Sequence, residues 1–198
     1  MKTSLGPQDI SSLIAPLAEA ERRFGTHFPG ESGARQPVHT VYGGAHLFRA
    51  GTAKKLGWNQ NFIGSSAAYT DLIHKLGGKA MDGLYAFHQV AVPYADDSSK
   101  NVRDWFASYK AKFKEDPGLF SAYGYVAMDM FMQTAKKTGP KLTTDNFIKT
   151  LESTTFSRDM FGSPEYKFGP KQHLGNEKSK VGQIQNGRWV AVTDYMAQ

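Results

Sequence analysis

Three groups of side chains in this sequence have the types and spacing to do chemistry. The first is Ser65-Ser66. It follows the short β-prone run Asn61-Phe62-Ile63-Gly64 and precedes residues 67–76, which read as a helix capped by Ser65 or Ser66 and ended at Gly77-Gly78. A strand leading into a hydroxyl-bearing turn at a helix N-terminus gathers backbone N–H groups, hydroxyls and the positive end of the helix dipole. That is a ready seat for a carboxylate or other anion, although an ordinary helix cap has the same local sequence. The second group is His39 and His46, which fall on different elements with no third ligand beside them, so a zinc site is not expected. The third is the acidic pair Asp96-Asp97, in a loop after a strand, which reads as solvated rather than metal-binding. Absence of cysteine excludes disulfides, thiolate metal sites and thiol nucleophiles, and no G-x-S-x-G elbow occurs. The residues by themselves leave an anion seat and an ordinary helix cap both open, and no catalytic residue, metal or cofactor is expected.

The elements that must position these groups alternate between strand and helix. Residues 8–25 have helical apolar spacing, bent or split at Pro16, and a Gly- and Pro-rich loop follows. Residues 38–42 alternate as a short strand ending at Gly43-Gly44, and residues 45–56 read as a second helix closed by Gly57. After Ser65-Ser66 and its helix comes a long β-prone run, residues 84–92, with Leu84, Ala86 and His88 on one face and Tyr85, Phe87 and Gln89 on the other. Residues 99–115 form an amphipathic helix with Val102, Trp105, Phe106, Tyr109 and Phe113 inward. The stretch 119–139 is the central helix: Phe120, Tyr123, Ala127, Met130, Phe131 and Thr134 recur at helical steps, and Val126, Met128 and Met132 widen the stripe until most of the circumference should be buried. Gly139-Pro140 stops it. A further helix at 146–153, a strand-like stretch at 165–168 and a hairpin turning at Asn186-Gly187 complete the chain.

Composition agrees with a packed domain. The chain has 198 residues, 40% of them apolar and 13% aromatic, enough to build a core. Its net charge of +6 is spread in singles and pairs, without the clustered basic-aromatic surface that nucleic acid requires, so no nucleic-acid partner is expected. No apolar run is long enough to span a membrane. The first residues lack a continuous apolar stretch and a small-residue cleavage site, so the chain as given reads as cytoplasmic.

Two resemblances add to this reading. The run ARQPVHTVYGGAHLFRAGTAKKLG resembles the N-terminal segment of an aldolase/citrate-lyase-related family, whose members are (β/α)₈ barrels. The metal-binding carboxylates and the catalytic Arg of such barrels have no counterpart here, so this resemblance implies ancestry without activity. From about residue 54 onward the match changes. The stretches AKKLGWNQNFIGSSAAYTDLIHKLGGKAMDGLYAFHQVAVPYADD, FSAYGYVAMDMFMQTAKKTG, LTTDNFIKTLESTTF, MFGSPEYKFGP and QIQNGRWVAVTDY resemble the C-terminal part of the type 1 periplasmic binding proteins, receptors of branched-chain amino-acid ABC transporters. Those are two α/β lobes joined by a hinge that the chain crosses three times, with a small ligand clamped between them for delivery to a permease. Two domains follow from the pair of resemblances: 1–57, a helix-strand-helix segment of aldolase-like origin, and 58–198, a partial binding-protein domain.

The fold so implied is α/β, a three-layer sandwich with a mostly parallel sheet, helices on both faces and a C-terminal hairpin. Ser65, Ser66, Tyr69, His88, Tyr94 and Tyr123 fall in the family's cleft and are the implied ligand-binding residues: hydroxyls and a helix end for a carboxylate, aromatic walls for the rest. Each also has a plain structural role open to it, as cap, packed ring or strand residue. The family often places an acid for the ligand's ammonium after the equivalent of Gly64. Here Ser65-Ser66 stands there, which makes aliphatic or aromatic carboxylates reasonable ligands beside amino acids. The readings that stand beside binding are a folded fusion with no native activity, associating as homo-oligomers through bare sheet edges, and a lyase remnant.

Overall fold

The computed structural model describes residues 38–41, as backbone, together with 56–57 and 61–197. The helices expected over 8–25 and 45–56 lie outside them, apart from a turn at Leu56-Gly57. Among the described residues are eight strands: β1 (Val38–Val41), β2 (Asn61–Gly64), β3 (Tyr85–His88), β4 (Thr155–Phe156), β5 (Tyr166–Lys167), β6 (Lys178–Gln185), β7 (Arg188–Ala191) and β8 (Met196–Ala197). Four helices accompany them: α1 (Asp71–Gly77), α2 (Lys100–Phe113), α3 (Leu119–Thr138) and α4 (Thr144–Glu152).

The main sheet runs β1-β2-β3-β6-β7, with β8 added to β6, while β4 and β5 form a separate small ribbon. β1, β2 and β3 are parallel, with His39 opposite Phe62 and Ile63 opposite Tyr85. From β3 onward every pairing is antiparallel. The α/β class is as expected, but the sheet is parallel in its first half only. The change comes at β6, which lies antiparallel beside β3, and the Asn186-Gly187 turn, with positive φ at both residues, 52° and 73°, makes a type I′ hairpin that returns β7 antiparallel along β6. The carboxylate of Asp82 accepts the Gly187 N–H at 2.9 Å and ties that turn to the start of β3.

Period-two alternation sorts the side chains of β2 and β3 between two clusters. On one face Phe62, Leu84, Ala86, Ile184 and Trp189 bury against Ala68, Tyr69 and Ile73 from the segment that leads into and forms α1. On the other, Ile63, Tyr85 and Val181 pack with Phe87, Val192 and Met196, residues of strands and the chain beside them. Among the described residues, then, a helix layer covers one face of this sheet.

The long run 84–92 is a strand only to His88. The chain then leaves the sheet, and Val90 and Val92 bury in different clusters: Val92 with the sheet, Val90 with Val102, Ala122, Val126 and Phe161 around α2 and α3. Ala91 donates its N–H to the Phe161 carbonyl at 3.0 Å, so the outgoing and returning segments are paired where they cross between the two clusters. The Tyr195 hydroxyl meets the carbonyls of both segments, Gln89 at 2.8 Å and Gly162.

α3 differs most from expectation. It buries Leu119, Ala122, Val126 and Thr134, while Phe120 is 75% exposed, Met128 56% and Phe131 48%. Phe113, expected inside α2, is also exposed. Helical spacing identifies apolar faces correctly here. It does not tell whether a partner for each face is present.

Candidate functional site

Ser65 directly follows β2, the middle strand of the parallel half of the sheet, so it stands at the carboxyl end of the strands, where open α/β sheets form their binding crevices. Its backbone is extended (φ −64°, ψ 178°), and Ser66–Ala68 forms a single 3₁₀ turn in which Ala68 N–H donates to the Ser65 carbonyl at 3.0 Å and Tyr69 N–H to that of Ser66 at 3.1 Å. The Ser65 side chain makes no capping bond. Ser66 and Ala67 are exposed and Ser65 half-buried.

The helix expected to start at this turn does not. The chain breaks at Tyr69, and Thr70 caps α1, its Oγ1 accepting the Leu72 N–H at 3.3 Å. Thr in extended conformation is a competent cap, and the helix starts where the first acidic residue, Asp71, meets its positive end. The seat at Ser65-Ser66 is therefore a 3₁₀ turn with hydroxyls and leading N–H groups, without a long helix dipole behind it.

The aromatic candidates Tyr69, Tyr94 and Tyr123 belong to one cluster on the sheet face. Tyr69 is 2% exposed, and its hydroxyl accepts the Val92 N–H at 3.4 Å; burial pushes its phenol well up. Its ring stacks on His88, with centroids 4.2 Å apart and planes 5° apart, and leans on Trp189 at 4.7 Å. His88 is 3% exposed, and burial, reinforced by Lys180 and only partly offset by the Val90 backbone, holds its pKa down to about 4. It is a neutral core ring at ordinary pH.

Tyr94 and Tyr123 are half-buried against the same cluster. The Tyr94 hydroxyl accepts the Trp189 N–H at 2.9 Å, and the Arg188 guanidinium lies 4.2 Å over its ring. Tyr123 touches both this cluster and the one around α2 and α3. Burial raises both phenols. Of the six residues, Tyr69 and His88 are in direct contact, Tyr94 and Tyr123 flank their cluster, and Ser65 and Ser66 form the turn that leads into Tyr69.

Asp96 and Asp97 are committed elsewhere. Asp96 pairs with Arg188 at 2.5 Å, which holds its carboxyl below the usual range, and Asp97 accepts the Ser99 N–H at 2.8 Å ahead of α2. Among the described residues no group of three or more acidic, histidine or cysteine side chains could hold a metal. His46 lies outside them.

One polar residue that spacing did not single out joins the parts. Asp71 accepts the Leu119 N–H at 3.4 Å and Lys75 Nζ at 2.7 Å, so a carboxylate at the start of α1 also caps the start of α3. Burial opposes its ionisation, but Lys75 and the Leu119 amide outweigh burial and hold the carboxyl below its ordinary range. Gly118 leaves the room: a Cβ there would come within 2.9 Å of the Asp71 carboxylate.

A family model described as Periplasmic binding protein matches residues 3–188. The chain belongs to this family. No curated protein matches it. Among solved structures, a branched-chain amino acid ABC transporter protein from Thermus thermophilus with bound valine is similar over all of this chain and 52% of its own length, at 14% identity and a TM-score of 0.65. A fatty acid ABC transporter substrate-binding protein from Thermomonospora curvata is similar over 96% of this chain and 47% of its own, at 18% identity and a TM-score of 0.65. A branched-chain amino acid transporter substrate binding protein from Streptococcus pneumoniae, in complex with isoleucine, matches 81% of this chain and 44% of its own, at 15% identity and a TM-score of 0.59. The chain thus spans about half the length of these solved proteins. The family match runs unbroken through residue 57, and an aldolase-like segment finds no support in it. No helix among the described residues is long and apolar enough to cross a membrane.

Proposed function

We propose that this chain supplies one wall of a ligand cleft that takes a small carboxylate at the Ser65–Ala67 turn and, within the whole protein, hands it to an ABC permease without chemical change. The observation that carries this reading is the position of Ser65 and Ser66 at the carboxyl end of the parallel strands, in a turn whose hydroxyls and leading N–H groups suit an anion. Tyr123, half-buried against the Gln89 and Val90 backbone just past the carboxyl end of β3, is the aromatic wall, whereas Tyr94, whose hydroxyl takes the Trp189 N–H opposite Ile184, lies toward the amino end of β3 and packs beside the cluster. Tyr69 and His88 hold the turn from beneath by packing rather than by touching ligand.

The turn also bears on ligand class. Neither Ser65 nor Ser66 offers a carboxylate to an ammonium group, and Asp71, the acid close by in sequence, is engaged by Lys75 and the Leu119 amide. This favours aliphatic or aromatic carboxylates over α-amino acids, in keeping with a family whose solved members include a fatty acid transporter protein as well as valine- and isoleucine-bound ones. The family's setting is periplasmic, and the proposed setting of this chain follows it.

The test is a thermal melt of the purified chain with and without a panel of amino acids, short fatty acids and aromatic carboxylates. A ligand at a hundred times its Kd adds about 2.7 kcal/mol, a shift of very roughly 5–10 °C for a chain of this size. A shift confined to one chemical class supports the reading, and a cooperative melt that no compound moves overturns it.

The second reading is a folded half without binding activity of its own. The exposed face of α3 favours it, since part of the architecture lacks a neighbour among the described residues. A fusion origin for residues 1–57 is a weaker alternative, because one family accounts for residues 3–188. A lyase remnant is weaker still, with Asp96 and Asp97 both engaged.

A further inference from the structure

Asn186-Gly187, the turn of the β6–β7 hairpin, is also a dipeptide in which backbone chemistry is easy. The Gly nitrogen has no neighbouring Cβ to shield it, and it can attack the side-chain amide carbon of the Asn before it. A bond then forms between the Gly187 nitrogen and Asn186 Cγ, and the proton of that nitrogen ends on the departing amide, which leaves as ammonia. Water opens the resulting cyclic imide at either carbonyl. One opening yields aspartate. The other yields isoaspartate, in which the main chain runs through the side-chain carbon. Water is the only co-reactant.

The fold exposes one partner in this reaction and holds the other. Asn186 is exposed at the tip of the turn. Gly187 donates its N–H to Asp82 Oδ1 at 2.9 Å, across 105 positions of sequence. Asp82 is itself fixed from the next residue, because the Gly83 N–H donates to the Ile184 carbonyl at 2.8 Å. Ring closure needs Asn186 to rotate about ψ until Cγ faces the Gly187 nitrogen. The type I′ turn, with φ of 52° and 73°, excludes that setting while Gln185 stays opposite Arg188. Closure also needs the nitrogen to lose its proton, and the carboxylate that faces it opposes a negative charge growing there. Asp82 thus resists both the rotation and the ionisation.

We propose that Asn186 is a site of spontaneous deamidation and isoaspartate formation, and that Asp82 keeps this modification slow in the folded chain. The hairpin carries the consequence inward. Isoaspartate lengthens the backbone of a two-residue loop, so Gln185 and Arg188 lose their register. Arg188 pairs with Asp96, and the next residue, Trp189, donates its N–H to the Tyr94 hydroxyl at 2.9 Å and leans its ring on Tyr69. Modification at an exposed turn therefore reaches the buried stack.

The test incubates the 198-residue chain at mildly alkaline pH, folded and in denaturant, beside the Asp82→Ala variant. The readout is the tryptic peptide 181–188, which gains one mass unit on deamidation and whose aspartate and isoaspartate forms separate by chromatography. The folded chain should be modified slowly and the denatured chain fast. Folded Asp82→Ala, checked by unchanged exchange protection of the Ile184 amide, should be modified faster than folded wild type by about tenfold or more, the equivalent of a lost hydrogen bond to a charged group. Purified isoaspartate-containing chain should melt below the unmodified chain. A measurement on the wild type covers the case in which the variant does not fold: mild denaturant that speeds deuterium exchange at the Gly187 amide should speed modification in proportion. Equal rates in the folded and denatured chain overturn the proposal. So does a folded variant no faster than wild type, a modification rate that does not follow Gly187 exchange, or an isoaspartate form with an unaltered melt.

Discussion

Tyr69 and His88 lie face to face, ring on ring, 4.2 Å apart and within 5° of parallel. The pair stands at the base of the Ser65–Ala67 turn, and it stacks this way because the imidazole is neutral and buried. Protonating it would put a charge in a site with no carboxylate partner among the described residues, beside Lys180.

That relationship has a pH signature. An unfolded histidine takes up its proton near pH 6.5, whereas His88 in the folded chain does so only at about 4. Between those values the unfolded state binds more protons, so stability is full above the upper value and falls as pH drops toward the lower one. The loss should reach about 3 kcal/mol, because each tenfold difference in proton affinity between the two states is worth about 1.4 kcal/mol. His74, held low mainly by burial, acts in the same direction. His88→Phe keeps the stack and removes the proton. Denaturant midpoints of the variant should decline much less between about pH 6.5 and 4.5, and an unchanged acid slope would show that His88 is not the responsible group.

Gly182 is the floor of the same stack. A Cβ there would sit 2.9 Å from Cε2 of Tyr69 and 3.3 Å from Cδ2 of His88, and both rings are locked in the core. Overpacking of this kind costs about 1–3 kcal/mol. Gly182→Ala should therefore lower the melting temperature by roughly 2–4 °C per kcal/mol. Gly124→Ala, where a Cβ meets open space, is the control and should not lower it.

Tyr195 governs the crossing between the two clusters. Its hydroxyl lies against the carbonyls of Gln89 and Gly162 but has one proton, so it can donate to only one at a time. Removing it takes away the one donor these carbonyls share, a hydrogen bond worth about 0.5–1.5 kcal/mol. In Tyr195→Phe the Ala91 amide, bonded to the Phe161 carbonyl, should exchange with solvent faster by a larger factor than the Ile184 amide in β6. Equal acceleration at the two amides would point to general destabilisation instead.

Much of this architecture could be read from local pattern. Asn61–Gly64, the Leu84/Ala86 against Tyr85/Phe87 alternation and the Asn186-Gly187 hairpin all form as their sequences indicate, because short-range sterics and period two decide them. The start of α1 was not legible in the same way. Ser65, Ser66 and Thr70 are all competent caps, and burial of Tyr69 against His88, distant in sequence, decides among them. The Asp71 bridge to Leu119 spans 48 positions and leaves no local trace. The exposure of α3 has a related reason: spacing reports that a face is apolar, and its partner is another matter. Of the proposed site, the turn and the aromatic cluster were legible. That Tyr69 and His88 lie under the turn rather than in front of it was not.

The most direct measurement is isothermal titration of the 198-residue chain with the same panel of carboxylates and amino acids, repeated on the Ser65→Ala, Ser66→Ala double variant. The account predicts heat of binding for one class of carboxylate. It also predicts an affinity about tenfold or more weaker in the variant, the loss of one or two charge-assisted hydrogen bonds, with no change in melting temperature. Heat that is the same in both proteins would contradict the account by moving the ligand away from this turn, and no heat from any compound would remove the binding function from this half of the fold.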